Sequence, residues 1–250
     1  MRKKVFLFNF IIVLLLFTGV MPNVIATNYR AGVSNNQELI WKCNECNAIK
    51  LNDILGTEWN DFGVFKNLGI GKKMKWQVND ININKTYIGI NFSIWEWSSE
   101  DNWGIKDKDF LITYFVNPKD YPQSLNFSSY SSFVPFLLPI PVGEYLGGLS
   151  LNEWYDVDNR VLPTLNIEIG RDGVLPGLPS EIIKIITFYN DQGILNSYKL
   201  YTTGNVVIVD ISLDYLPPYV IPTLMGLIII FSLGIILFIF KKRRILKIDN

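Results

Sequence analysis

The chain has 250 residues, with 23 Lys/Arg balanced by 23 Asp/Glu, two cysteines and no histidine. The missing histidine excludes Ser-His and Cys-His nucleophile pairs, imidazole zinc sites and histidine-based pH switches. The charge balance is uneven: residues 27–218 hold 15 Lys/Arg against 22 Asp/Glu, a net charge near −7 that opposes nucleic acid and anionic headgroups.

The first 26 residues read as a signal peptide. Arg2, Lys3 and Lys4 precede an apolar run over 5–17 broken only by Asn9, then Gly19, Pro22 and a small residue, Ala26, at the cleavage position. If that segment stays uncleaved as an anchor, the residues after it still face outward. Residues 27–218 are therefore expected to form an extracellular domain, long enough for one sizeable core. Its aromatic content argues against disorder.

Within that domain, 37–50 reads as a first strand with Leu39, Trp41 and Cys43 on one face. A Gly-punctuated stretch follows, with Asn52-Asp53 as a candidate cap of a short helix and the remainder loop. "MKWQVNDI" and "TYIGINFSIWEW" alternate with period two around a turn at 82–85, a hairpin, and "FLITYFV" is a third strand. Trp76 and Val78 share one face of the first hairpin strand; Ile88, Ile90, Phe92 and Ile94 share one face of the second.

The stretch "FVPFLLPIPV" is apolar, but Pro135, Pro139 and Pro141 forbid a helix or a central strand. Phe133, Phe136, Leu137, Leu138 and Ile140 either pack the core or form an apolar lid over a ligand cup. Packing is the expected role, because apolar loops usually bury themselves. Ser150-x-x-Glu153 has capping-box spacing and points to a short helix from Leu151. "PTLNIEIG" is a strand, and the final part is an antiparallel meander of three strands turning at Gln192-Gly193 and Gly204-Asn205. Five to seven strands result.

Residues 220–240 contain no charge over 21 positions, about 30 Å of helix, enough for a bilayer core. With Tyr219 they make a transmembrane helix over 219–240, Pro222 falling in its tolerant first turn. Lys241, Lys242, Arg243, Arg244 and Lys247 form a basic tail over 241–250, the mark of a cytoplasmic end.

Cys43 and Cys46 have C-x-x-C spacing. A zinc site needs further Cys or His ligands that the chain lacks. A thioredoxin-like pair needs its first Cys at a helix N-terminus after a strand; here Trp41 stands one place too early and no helical pattern follows closely. Free thiols, a redox pair and a partial metal site remain alternatives, but outside the cell a small structural disulfide turning at Asn44-Glu45 is the expectation. Asn84, Asn91 and Asn126 head N-x-S/T triplets and are candidate glycosylation sites.

The layout resembles archaeal type I surface proteins that have no assigned activity. The shared features are Gly32, Val33 and Trp41 around the first strand, the Tyr189-Asn190 and Gly193-Ile194-Leu195 pattern in the meander, and one C-terminal span; Asn190 stands where Asp is common. A weaker likeness is to the curved-sheet domains of lipoprotein carriers. The expected fold is thus mainly antiparallel β, a curved sheet or half-barrel with short helices (α+β being possible), plus one transmembrane helix.

The expected function is that of a cell-membrane protein whose ectodomain is a non-catalytic interaction module for another surface protein. The alternative is a carrier of an apolar ligand or lipid, and a carboxylate-dependent hydrolase ranks last. No catalytic, cofactor or metal residues and no nucleic-acid partner are expected. Protease added to intact cells should digest the ectodomain and spare a tag fused at Asn250, whereas loss of that tag would reverse the orientation.

Overall fold

A computed structural model describes residues 29–100, 102–127, 132–170 and 181–214, together with helical Met225, Phe231 and Ser232. The expected signal peptide, most of the expected span over 219–240 and the basic tail lie outside the described residues. Among the described residues, no helix is long and apolar enough to cross a membrane.

Among the described residues, nine strands make one sheet: β1 (Glu38–Cys46), β2 (Lys73–Ile83), β3 (Tyr87–Ser98), β4 (Lys108–Phe115), β5 (Tyr155–Asp158), β6 (Thr164–Ile169), β7 (Ile183–Tyr189), β8 (Leu195–Thr202) and β9 (Val206–Leu213). Their order is β4-β3-β2-β1-β9-β8-β7-β6-β5, with every neighbouring pair antiparallel. Two meanders are therefore joined where the first and last strands pair. Among the described residues of 29–214, two short α-helices accompany the sheet, α1 (Ala48–Leu55) and α2 (Val142–Gly148).

The period-two pattern decides which face is buried. Leu39, Trp41, Met74, Trp76, Val78, Ile88, Ile90, Phe92, Ile112 and Tyr114 line one face of the first meander; Leu165, Ile167, Ile185, Tyr189, Leu200 and Ile211 continue it across the second. The opposite face carries Lys42, Gln77, Asn91, Lys184, Lys199 and Asp210, none of them buried. Register shifts that place an extra residue in β1, β2, β3, β8 and β9 break strict alternation. Each such bulge bends its strand and raises local twist.

The turns agree with their chemistry. Asn84 Oδ1 accepts from the N–H groups of Thr86 and Tyr87, both at 2.8 Å, and closes the β2–β3 hairpin. Gly193 (φ 75°) and the Gly204-Asn205 pair (φ 82° and 60°) supply the left-handed positions of the last meander.

Three local expectations are corrected. The first strand does not extend to Lys50; it ends at Cys46, and Asn47 caps α1 by accepting from the Lys50 N–H at 3.1 Å. The cap thus falls at Asn47 rather than at Asn52-Asp53, because Leu51 and Ile54 then face the core. No helix starts at Leu151. The Ser150 carbonyl accepts from Leu125 N–H at 2.7 Å and Asn152 Oδ1 accepts from Trp154 N–H at 3.1 Å, which turns the chain into β5 instead. The sheet also has more strands than the five to seven expected, the short β5 among them.

Sheet order dictates the path of residues 116–154. They leave β4 at one edge and must reach β5 at the other, roughly 38 Å away in a flat nine-stranded sheet. The crossing runs over the apolar face. Val134 and Leu137 are 0 % exposed, Leu138 is 1 % and Phe136 2 %. Truncating Leu138 to Ala should therefore lower unfolding stability by about 3 kcal/mol, read as a shifted urea midpoint with unchanged slope. A midpoint equal to that of wild type would mean that this segment does not hold the sheet.

Candidate functional site

The proline-broken segment cannot pair along a continuous ladder, so its backbone groups are met individually. Leu138 N–H donates to Gly193 O at 2.8 Å, Leu195 N–H to Phe136 O at 2.9 Å, and Ile140 N–H to Arg30 O at 2.9 Å. The Tyr189 hydroxyl donates to Pro135 O at 2.8 Å, and the Tyr114 hydroxyl to Leu137 O. Phe136 lies 5.1 Å from the Trp41 ring and stacks on Trp76 at 5.5 Å. Phe133 and Ile140 are partly buried against the same core. The five residues of the candidate lid therefore sit together on the apolar face, held from both meanders.

Close approach at this crossing explains two glycines. A Cβ on Gly193 would stand 2.0 Å from Leu138 O, and one on Gly32 would stand 2.3 Å from Gln192 O. A cleft of about 340 Å³ opens beside them, lined by Gln37, Glu38, Ile40, Gln192, Ile194 and Asp214 among others.

The two cysteines occupy the end of β1. Cys43 pairs with Ile211 and Cys46 with Val209, and the extra residue between them is absorbed as a bulge at Asn44-Glu45. Three residues apart on a regular strand, the two would point to opposite faces. The bulge returns them to one face, that of Ile211 and Val209. The expected disulfide is not formed: both are free thiols, Cys43 buried and Cys46 half-buried. In place of the expected tight turn, Asn44-Glu45 forms a bulge through which the strand keeps its ladder to β9.

The thiols are hydrogen-bonded neighbours. Cys43 Sγ–H is also 3.2 Å from Glu45 O. The hydrogen bond with Cys46 and burial push the Cys43 thiol up. The hydrogen bond from Cys43 holds the Cys46 thiol below its ordinary value, with help from Lys72 and against burial and Glu45. Among the described residues, no group of three or more His, Cys, Asp or Glu is placed to hold a metal.

On the outer face, Lys75 Nζ sits 3.9 Å above the Trp95 ring and 5.4 Å from Trp103, and meets Glu38 Oε1 at 3.3 Å. Its neighbours are also paired: Glu96 holds Lys66 at 2.9 Å and Lys108 at 3.3 Å, and Asp109 holds Lys106 at 2.6 Å. At the far edge Arg160 forks onto Asp158, whose carboxyl is pulled down to about 2 by those hydrogen bonds. The aromatic clamp on Lys75 was not foreseen; Lys75 and Trp95 are adjacent only through the β2–β3 register. The asparagines of the three candidate glycosylation triplets are all exposed.

Compared with known proteins, the chain matches no family model, no curated protein and no solved structure.

Three phenols, Tyr145 and Tyr198 buried and Tyr155 half-buried, give the domain a measurable alkaline limit. Burial pushes the Tyr155 phenol up to about 12, against the pull of the Phe127 N–H at 3.0 Å; Tyr145 and Tyr198 are also raised, again mainly by burial. A phenol whose folded pKa exceeds the unfolded value of about 10 leaves stability intact below that pH and removes it as pH climbs through the folded value. Stability should be level up to about pH 10 and fall toward pH 12 and above, with these phenols ionising only as circular dichroism is lost. Phenolate absorbance from all tyrosines near pH 10 in a folded domain would contradict this.

Proposed function

We propose that the protein is a membrane-anchored surface protein whose ectodomain acts as a non-catalytic binding module. The observation that carries this reading is the occupancy of the apolar face. The chain fills it with its own residues, pinned by main-chain hydrogen bonds to Arg30, Gly193 and Leu195, so the sheet is offered as a rigid platform rather than as a cup. The outward surface is polar and charge-paired, with Trp95 and Trp103 flanking Lys75 in an arrangement suited to a protein contact. The anchor rests on the charge-free span over 220–240 and the basic residues after it.

Native mass spectrometry of the full chain released from detergent micelles tests the choice between platform and carrier. A platform should appear at the mass of the polypeptide plus any glycans. One tightly held lipid per chain, retained when the micelle is stripped and lost on Phe136→Ala substitution, would establish the carrier instead.

A further inference from the structure

A redox couple is one of the alternatives open to the cysteine pair, and the sequence shows no helical pattern close behind Cys46. In the structure, α1 begins two residues after Cys46, with Asn47 as its cap, its Oδ1 accepting from Lys50 N–H at 3.1 Å. Such a terminus carries partial positive charge. The bulge at Asn44-Glu45 independently brings both sulfurs to one face.

We propose that Cys43 and Cys46 form a reversible dithiol–disulfide couple, in which Cys46 meets a small-molecule disulfide and Cys43 resolves the adduct. The division of labour follows from placement. Cys43 is 0 % exposed, walled by Trp41 and Ile211 on the buried face and tied by its backbone to the 69–72 loop, with Cys43 N–H on Lys72 O at 2.9 Å and Gly71 N–H on Cys43 O at 2.8 Å. Cys46 is only half-buried, at the point where strand passes into helix. The charged groups facing the pair are Lys72, Glu45 and Asp210; Lys72 and the Cys43 thiol favour a thiolate at Cys46, while Asp210 disfavours one at Cys43.

The chemistry balances in two exchanges. The Cys46 thiolate attacks one sulfur of R–S–S–R′, forming a Cys46–S–S–R bond as the S–S bond of the reagent breaks and R′–S⁻ leaves. Cys43 then loses its proton to the departing thiolates or to solvent and attacks the Cys46 sulfur. The Cys43–Cys46 bond forms and R–S⁻ leaves. The dithiol gives up two electrons and two protons, and the external disulfide becomes two thiols. An excess of small thiol drives the same steps backward. A staple buried in the core would do neither while folded.

Glutathione disulfide added to the reduced full chain, followed by acid quenching and peptide mass mapping, tests this. Wild type should close to the Cys43–Cys46 disulfide and reopen with reduced glutathione without loss of circular dichroism. Cys43→Ala should stop at a stable glutathione adduct on Cys46. Cys46→Ala should be modified at Cys43 at least ~10-fold more slowly, as expected of a buried thiol without a thiolate-stabilising neighbour. Each of three outcomes would overturn the proposal: equal modification rates in the two variants, a wild-type adduct that never closes, or a disulfide that opens only when the chain unfolds. The wild-type arm needs no substitution, so it decides even if a variant folds poorly.

Discussion

Everything in this domain is organised by one topological demand: the chain must travel from one edge of a nine-stranded sheet to the other. Because β1 pairs with β9 in the middle of the sheet, both edges belong to the interior of the sequence, and residues 116–154 have to cross a face. They cross the apolar one, where Phe136 wedges against Trp41 and Trp76. Burying each large side chain there contributes about 1.5–3 kcal/mol, and the same segment hides the sheet's apolar surface from water. Three prolines keep the segment from becoming a tenth strand or a helix.

The cost of that crossing is a set of buried backbone groups with no ladder, and the residues that meet them come from distant parts of the chain. Tyr114 reaches from β4, Tyr189 from β7, and Leu195 and Arg30 through their backbones. Trp41 Nε1 donates to Leu195 O at 2.8 Å, so the first strand also braces the turn on which the segment lies. Gly32 and Gly193 are required by contact distance. Several residues that looked like scattered motifs in the sequence (Gly32, Trp41, Tyr189, Gly193, Leu195) thus serve one docking arrangement. Asn190 belongs to it too, its Oδ1 accepting from Gln192 N–H and Ile194 N–H at 3.0 Å and shaping the turn.

The strand bulge in β1 is the second irregularity with consequences. It decides whether a C-x-x-C pair points to one face or to two, and it lets α1 start where its cap can also use the ladder, Asn47 N–H donating to Ile208 O at 2.8 Å. A single inserted residue therefore sets both the chemistry available to the thiols and the seating of Leu51 and Ile54 against the core.

The residue pattern alone determined the strands with strict alternation and clear turns: the β2–β3 hairpin, β4, β6 and the last meander were all legible, as were the faces carrying Trp76, Ile90 and Phe92. Local side-chain chemistry governs those elements, and alternation records which side meets the core. The C-terminal charge-free span and the missing histidines were equally plain, because they are matters of composition. Tertiary structure decided what local patterns leave open. Ser150-x-x-Glu153 had the form of a helix start, yet an inter-segment bond at Ser150 O turned the chain into β5. The helix after Cys46 was hidden because its amphipathic stretch is short and its stability comes from packing rather than propensity. The pairing of β1 with β9, the bulge that aligns the cysteines and the clamp of Trp95 and Trp103 on Lys75 all depend on register between strands far apart in sequence. Register is set only when both partners meet on the same buried face.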